Sequence, residues 1–212
     1  MKSFKYKGFD YCALVLVLLL SSVVNADNAS IEAAGPYGKI EHITAKLLTI
    51  IDAHKQDYPE NQKQYFEALS KLLDRSVDFK FISKSVMGPF RNQATPEQRS
   101  LFVEKFRQGL VETYGRGLIN YGDQEILLVE RRPLKDGQRK LMVRQEIRSA
   151  GNTFPLQYSM ARKKTGEWMI VNVTISGINL GKTFRSQFFQ AAQRSEGDLD
   201  AVIDKWTTAS NY

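Results

Sequence analysis

The sequence has very few of the residues that form covalent or metal-bound sites. Its 212 residues include a single cysteine, Cys12, and two histidines, His42 and His54. One cysteine cannot form an internal disulfide. The two histidines lie twelve positions apart on one predicted helix, about 120° apart around its axis, which argues against a shared metal ion. HExxH, GxSxG and glycine-rich phosphate motifs are also absent, so we expect no enzyme and no cofactor.

Long apolar runs are missing as well. The run from Tyr11 to Val24 is shorter than the roughly 18 to 20 residues of a membrane-spanning helix. Lysines precede it, and Val24-Asn25-Ala26 follows with small residues, which is the arrangement of a secretory signal peptide. We therefore predict a signal peptide at 1–26, cleaved near Ala26, and one exported domain at 27–212. Because Cys12 lies in the predicted signal peptide, that domain has no thiol.

Acidic residues are fewer than basic ones. The chain has 23 of them against 30 lysines and arginines, a net charge of +7, or +5 for residues 27–212. A basic balance is typical of nucleic-acid binding, but an exported protein rarely meets nucleic acid, and the two signs are interspersed. We interpret the excess as a solvated surface. A docking face for an acidic protein partner or an anionic lipid is the second interpretation.

The first half of the domain has apolar residues at helical spacing. The clearest helix start is at Thr95, where Thr95 and Gln98 have the spacing of a capping box. Gly109, Gly115 and Gly117 interrupt this helix, and we expect them to admit a close neighbouring backbone or to bend the helix. Helices are predicted over 36–54, 59–74, 77–86 and 95–121.

After residue 122 the periodicity becomes strand-like. Short strands are predicted over 126–129 and 140–148, and a hairpin of two longer strands follows, reversing at 163–167. On its return strand, alternation predicts one unbroken apolar face of Met169, Val171, Val173 and Ile175, opposite Trp168 and Ile170. Asn179 and Asp198 are predicted to cap two closing helices.

Helices, then four antiparallel strands, then helices predict an α+β fold with the helices on one face of the sheet. The apolar faces of the helices and strands are explained either by a solid core or by a cavity for a long apolar ligand. Periodicity does not separate these explanations, because both require the same residues to point inwards.

Several segments, taken in order, resemble a known family. They are TPEQRSLFVEKFRQGLVETYGRGLINY, the strand ending in Gln157-Tyr158, GEWMI at 166–170 and GINLGKTFRSQF at 177–188. Together they resemble the MlaC family, also called toluene-tolerance or Ttg2-type proteins, which are periplasmic phospholipid carriers of Gram-negative bacteria. The resemblance implies a helical layer packed on a curved four-stranded antiparallel sheet that encloses an apolar pocket. Trp168 and Arg185 are among the positions with like residues in the family.

The resemblance also implies a set of residues that contact acyl chains. These residues lie on the long helix, on the strands and on the helix after the hairpin. The predicted lipid-binding set is Phe102, Phe106, Leu110, Tyr114, Leu118, Val143, Ile147, Tyr158, Met160, Met169, Val171, Val173, Ile175, Phe184 and Phe188.

The implied function is the transport of phospholipid as a carried ligand, without catalysis of a reaction. The implied partners are an outer-membrane lipoprotein bound to a porin and an inner-membrane ABC transporter with an MCE domain, and the exchange maintains outer-membrane lipid asymmetry. The chain departs from the family pattern at Asn172, where Asp is frequent, and at Asn179, where Ser is frequent. Two alternatives remain open: an adaptor with a solid core, and an enzyme on a cone-shaped fold of the nuclear-transport-factor type.

Overall fold

The structure, a computed structural model, describes residues 35–58 and 60–206. In this part of the chain four α-helices precede the strands and two follow them, and a 3-10 helix (Gly88–Asn92) continues α3. The predicted signal peptide and the predicted helix start at Pro59 lie outside the described residues. The helices are α1 (Gly35–His54), α2 (Gln62–Asp74), α3 (Phe79–Met87), α4 (Pro96–Leu118), α5 (Leu180–Arg194) and α6 (Leu199–Asp204).

The three predicted helix caps are confirmed. Thr95 Oγ1 accepts from the Gln98 backbone N–H at 3.1 Å, and Gln98 Oε1 accepts from the Thr95 N–H at 2.9 Å, which completes the capping box of α4. Asn179 Oδ1 accepts from the Lys182 N–H at the start of α5. Asp198 Oδ1 accepts from the Ala201 N–H at the start of α6. Short polar side chains thus fix where these helices begin.

The strands form one open antiparallel sheet in sequence order. They are β1 (Glu125–Leu128), β2 (Lys140–Ser149), β3 (Asn152–Arg162), β4 (Trp168–Ile175) and β5 (Ile178–Asn179). The sequence predicted four of them. The fifth has two residues and pairs with the end of β4, so it is too short to show an alternating pattern. The other half of the same edge of β4 makes a parallel bridge between Ile170 and Val77.

The predicted unbroken face of β4 is wrong. Tyr158 on β3 lies opposite Val173, but Met160 lies opposite Ile170, because the register shifts between Ser159 and Met160. The extra residue in β4 forms a β-bulge. It places the side chains of the first half of the strand on the faces opposite to those that strict alternation predicts. Trp168 and Ile170 therefore share a face with Val173 and Ile175, whereas Met169, opposite Ala161, lies on the other face.

The buried side chains form three clusters. The helix cluster combines α3 to α6 around Phe102, Phe106, Phe184 and Phe188. The sheet cluster packs Ile40 of α1 on Val143, Met160, Trp168 and Ile170. The α2 cluster joins α1, α2 and α4 through Ile51, Tyr65, Leu69, Val111 and Ile119. No helix in the described part of the chain is both long and apolar enough to cross a membrane.

Candidate functional site

One face of the sheet is apolar across β1 to β4, and we call it the inner face. The strand register places its members on the same side of the sheet. Gln145, a polar residue in the interior of this face, is 3% exposed and donates from Nε2 to Thr44 Oγ1 of α1 at 3.1 Å. The apolar members are Ile126, Leu128, Leu141, Val143, Ile147, Phe154, Leu156, Tyr158, Met160, Trp168, Ile170, Val173 and Ile175.

The inner face is sealed at one end and accessible at the other. Val143 and Met160 are buried beneath α1, as part of the sheet cluster. Ile147 and Ile175, towards the other end of the strands, are only half-buried, and Phe154 is 44% exposed. The apolar surface therefore continues beyond the part that the sheet cluster buries.

Tyr158 lies in the middle of this face, between Val143 on β2 and Val173 on β4. Burial raises the pKa of its hydroxyl far above the ordinary value, yet the residue keeps part of its surface accessible. The ring is therefore surrounded by protein on most sides without being fully covered. Among the described residues the hydroxyl has no hydrogen-bond partner. It is therefore a protonated donor that a bound molecule can satisfy.

Tyr65 is a buried tyrosine with a structural role and provides a comparison for Tyr158. Its ring is fully buried in the α2 cluster, and its hydroxyl donates to the Gly115 carbonyl at 2.9 Å. Burial, with a smaller contribution from Tyr58, raises its pKa to about 12. Tyr65 thus has a hydrogen-bond partner, whereas Tyr158 has none among the described residues.

Helix α4 carries the predicted stripe of large side chains. Phe106 is fully buried, whereas Leu110, Tyr114 and Leu118, which follow at four-residue spacing, are half-buried. The close backbone contacts of α4 are with α2, α3 and α6, while α1, α3 and α5 contact β4. Helix α4 thus packs mainly on other helices rather than on the sheet. The C-terminal half of its stripe, from Leu110 to Leu118, keeps accessible surface.

The structure divides the predicted lipid-binding set. Phe102 and Phe188 have ring centroids 4.8 Å apart, and Phe106 and Phe184 5.3 Å apart, so these four rings fill the helix cluster. Val143 and Met160 are buried in the sheet cluster. Met169 is buried on the opposite face, and Val171 lies at the bulge. The half-buried members are Leu110, Tyr114, Leu118, Ile147, Tyr158, Val171, Val173 and Ile175.

The sequence prediction omitted seven apolar residues that share the inner face: Ile126, Leu128, Leu141, Phe154, Leu156, Trp168 and Ile170. Leu156 is half-buried between Gln145 and Ile175, and Ile126 and Leu128 extend the face onto β1. The alternation of β3 already placed Leu156 beside Tyr158 and could have identified it. In residues 35–58 and 60–206, no group of three or more His, Cys, Asp or Glu side chains is arranged to hold a metal ion.

Helices on an open antiparallel sheet with a partly accessible apolar inner face define an α+β protein of the ligand-binding type. The model of the MlaC protein family matches residues 41–208. The toluene tolerance protein ttg2D of Pseudomonas putida is 36% identical over 178 residues, which cover 84% of this chain and 82% of that protein. The chain belongs to the MlaC family.

A further relative agrees with this assignment, and a solved structure agrees with the fold. The intermembrane phospholipid transport system binding protein MlaC of Haemophilus influenzae is 24% identical over 177 residues, covering 82% of this chain and 80% of that protein. A solved structure of the phospholipid-binding protein from Ralstonia solanacearum, in complex with a phospholipid, superposes with a TM-score of 0.70 at 23% identity. It covers 80% of this chain and 97% of that one, and it confirms the fold.

Proposed function

We propose that this chain is a periplasmic phospholipid carrier. It holds acyl chains between the inner face of the sheet and the C-terminal half of the α4 stripe, which is Leu110, Tyr114 and Leu118. The observation that carries the proposal is Tyr158, whose ring is deep enough in the fold for burial to raise the pKa of its hydroxyl, yet keeps accessible surface. Half-buried apolar side chains around such a ring are typical of the lining of an apolar ligand site.

The size of the hydrophobic effect explains why a carrier needs such a lining. Each buried methylene contributes about 0.8 kcal/mol, so a two-chain lipid with roughly thirty of them resists leaving a membrane by over 20 kcal/mol. The protein must therefore offer an equally dry surface. Ile147, Leu156, Val173 and Ile175 supply it on the sheet, and Leu110 and Leu118 supply it on α4. The four phenylalanines of the helix cluster pack on one another and are too buried to supply accessible surface.

Tyr158 gives the site one polar group. A tyrosine phenol is protonated at neutral pH even at its ordinary pKa of about 10, and burial raises the pKa of Tyr158 further, so its hydroxyl is available to donate a hydrogen bond. A phospholipid carries acceptors at its ester and phosphate oxygens, next to the chains. We infer that Tyr158 donates to one of these oxygens and sets how deeply the lipid enters. A protonated phenol is a donor rather than a general base, which is consistent with binding and release without a covalent step.

The relatives support the cargo and the location. One is named for intermembrane phospholipid transport, and another was solved with a phospholipid bound. The predicted signal peptide supports export. The resemblance supports exchange with an outer-membrane lipoprotein–porin complex and with an inner-membrane ABC transporter carrying an MCE domain, and thereby a role in outer-membrane lipid asymmetry.

Mass spectrometry of the protein purified from the periplasm tests the proposal. The native protein is expected to carry phospholipid in stoichiometric amount, and organic extraction is expected to release it. A clean mass for the ligand-free chain, with no uptake from labelled liposomes, would contradict the proposal and favour the adaptor with a solid core.

A matched pair of substitutions locates the site. Val173→Trp places a large ring among half-buried residues, so we expect the variant to fold and to lose most of its lipid. Met160→Trp places the same ring where Met160 is 1% exposed, so we expect overpacking to destabilise the fold by about 1–3 kcal/mol. Equal destabilisation by both substitutions would show that the inner face is a solid core.

A further inference from the structure

A second concave surface lies apart from the inner face, and we call it the basic groove. It has a volume of about 820 Å³ and runs between α1, α2 and the turn that joins β3 to β4. Lys39, Ile43 and Lys46 line it from α1, at three- and four-residue spacing that places them on one face of that helix. Lys71 and Leu72 line it from α2. Two consecutive helices and a turn about ninety residues further along the chain thus contribute to one groove.

The basic groove has an excess of positive charge. Five cations line it, together with the carboxylates Asp74 and Glu167. Both carboxylates already have partners: Glu167 binds Lys39 Nζ at 3.0 Å, and Asp74 binds Arg107, which lies outside the groove, at 2.9 Å. The remaining cations have no ion pair within the described part of the chain: Lys46, Lys71, Arg75 and Lys163.

The floor of the groove is apolar. Met169, the residue that the bulge in β4 turns away from the inner face, is 3% exposed there, and Ile43 and Leu72 lie beside it half-buried. Lys39 Nζ lies 3.6 Å from the Met169 sulfur and is held there by Glu167. An apolar floor beneath a ring of unpaired cations is complementary to a segment that carries both carboxylates and an apolar side chain.

We propose that the basic groove docks an acidic polypeptide segment of a partner protein. An extended or helical segment can enter a concave surface and reach the floor at Met169, whereas a lipid bilayer is flat on this scale and reaches only the rim. The excess positive charge also accelerates encounter with an acidic partner. The proposal does not depend on lipid carriage, because a peptide-binding measurement gives its result whether or not the inner face holds lipid.

Fluorescence anisotropy with a labelled peptide of repeated Glu-Glu-Leu units tests the proposal on the full mature chain. We expect the peptide to bind, and a peptide with Lys in place of each Glu not to bind. Lys46→Glu with Lys71→Glu is expected to weaken binding about tenfold at low ionic strength, and the corresponding Gln variants by less. The difference should shrink at physiological salt, where the Debye length is about 8 Å.

The matched control reverses two exposed lysines outside the groove, Lys84→Glu and Lys135→Glu, and keeps the same net charge. We expect it to change binding by less than about twofold. An equal loss in the control would show that the peptide responds only to overall charge and would overturn the proposal. Failure of the acidic peptide to bind would also overturn it. So would binding to phosphatidylglycerol vesicles that the groove variant alone abolishes, since that result assigns the groove to a membrane surface.

Discussion

At the scale of single residues, Asn172 joins helix α5 to the sheet. Its Oδ1 accepts from the Gly181 N–H at 3.0 Å, beside Asn179 Oδ1, which accepts from the Lys182 N–H at 3.0 Å. Two of the free N–H groups in the first turn of α5 are therefore satisfied by side chains. The absence of a side chain at Gly181 permits this, because a Cβ there would lie 2.6 Å from Asn172 Oδ1.

Substitutions at Asn172 should distinguish the contribution of its hydrogen-bond acceptor from the contribution of a negative charge at the start of α5. Asn172→Ala removes the acceptor and is expected to lower the free energy of unfolding by about 1 kcal/mol. Asn172→Asp, the residue frequent in the family, keeps the acceptor and adds a negative charge at a helix N-terminus, so stability should stay equal or rise by up to about 1 kcal/mol. Urea denaturation measures both, with exposed Asn92→Ala as the control. Equal losses for Ala and Asp would rule out the capping role.

The two buried tyrosines should respond differently to loss of the hydroxyl. Tyr65→Phe leaves the buried Gly115 carbonyl without its donor, which is expected to cost about 1–3 kcal/mol of stability. Tyr158→Phe removes a hydroxyl that has no partner among the described residues, so the stability of the lipid-free protein should be nearly unchanged while lipid retention falls. Denaturation and liposome-uptake assays on both variants test this. A large loss of stability in Tyr158→Phe would show that its hydroxyl has a structural role.

The raised pKa of Tyr65 predicts a dependence of stability on alkaline pH. A phenol is neutral when protonated, and burial raises the folded pKa to about 12 against about 10 in the unfolded chain. The contribution of this group is therefore complete below about pH 10 and is lost as the pH rises towards 12. The unfolding free energy of the natural chain should fall more steeply across this interval than that of Tyr65→Phe. Parallel curves would contradict the assignment.

At the scale of elements, helix α4 depends on one of its glycines and not on another. A Cβ at Gly115 would lie 2.9 Å from Leu69 Cδ1 and 3.0 Å from Phe66 Cε1, both on α2, whereas Gly117 has nothing within 4 Å. The predicted close approach at this helix is therefore an approach of side chains to Gly115.

Alanine at the two positions should have opposite effects. Gly117→Ala adds helix propensity in open space and should stabilise the protein by up to about 1 kcal/mol. Gly115→Ala gains the same propensity but pushes α2 away from α4, which should cost about 1–3 kcal/mol overall. Thermal unfolding of the two variants, made in the same background, provides the comparison. Stabilisation by both would mean that α2 and α4 separate without cost.

The elements were predictable wherever a local signal defines them. The caps at Thr95, Asn179 and Asp198 depend on residues within three positions of one another, and all three predictions are confirmed. The bulge in β4 was not predictable, because alternation continues through Met169 and Val171 and only the pairing with β3 shows the extra residue. The basic groove also joins residues from three elements, so its charge emerges only in the folded chain.

The candidate site was predictable in part for the same reason. Half-burial of Ile147, Tyr158 and Ile175 depends on which helices cover the sheet, and periodicity contains no such information. In the sequence, Phe102 and Tyr158 were equally good candidates for contact with acyl chains. The fold packs Phe102 into a cluster of aromatic rings and leaves Tyr158 with accessible surface and no partner among the described residues.

At the scale of the whole molecule, the bulge in β4 divides the side chains of this strand between the proposed lipid site and the basic groove. Val173 and Ile175 face the inner side, and Met169 faces the basic groove. A single strand thus contributes to both the proposed lipid site and the proposed docking site. A partner segment that docks against Met169 would contact the strand that carries the proposed lipid site, so the two proposals together link docking to lipid release through β4.

Lipid removal should lower the stability of the whole domain. A ligand that binds only the folded state stabilises it by mass action, by about 2.7 kcal/mol at a hundredfold excess over its dissociation constant. The organically extracted and refolded protein is therefore expected to unfold at lower urea concentration than the loaded protein, and added phospholipid should restore the difference. Val173→Trp provides the control, because a folded chain with a blocked site should unfold at the same urea concentration with and without lipid. If extraction left the unfolding of the natural chain unchanged, its apolar inner face would be core and not a binding surface.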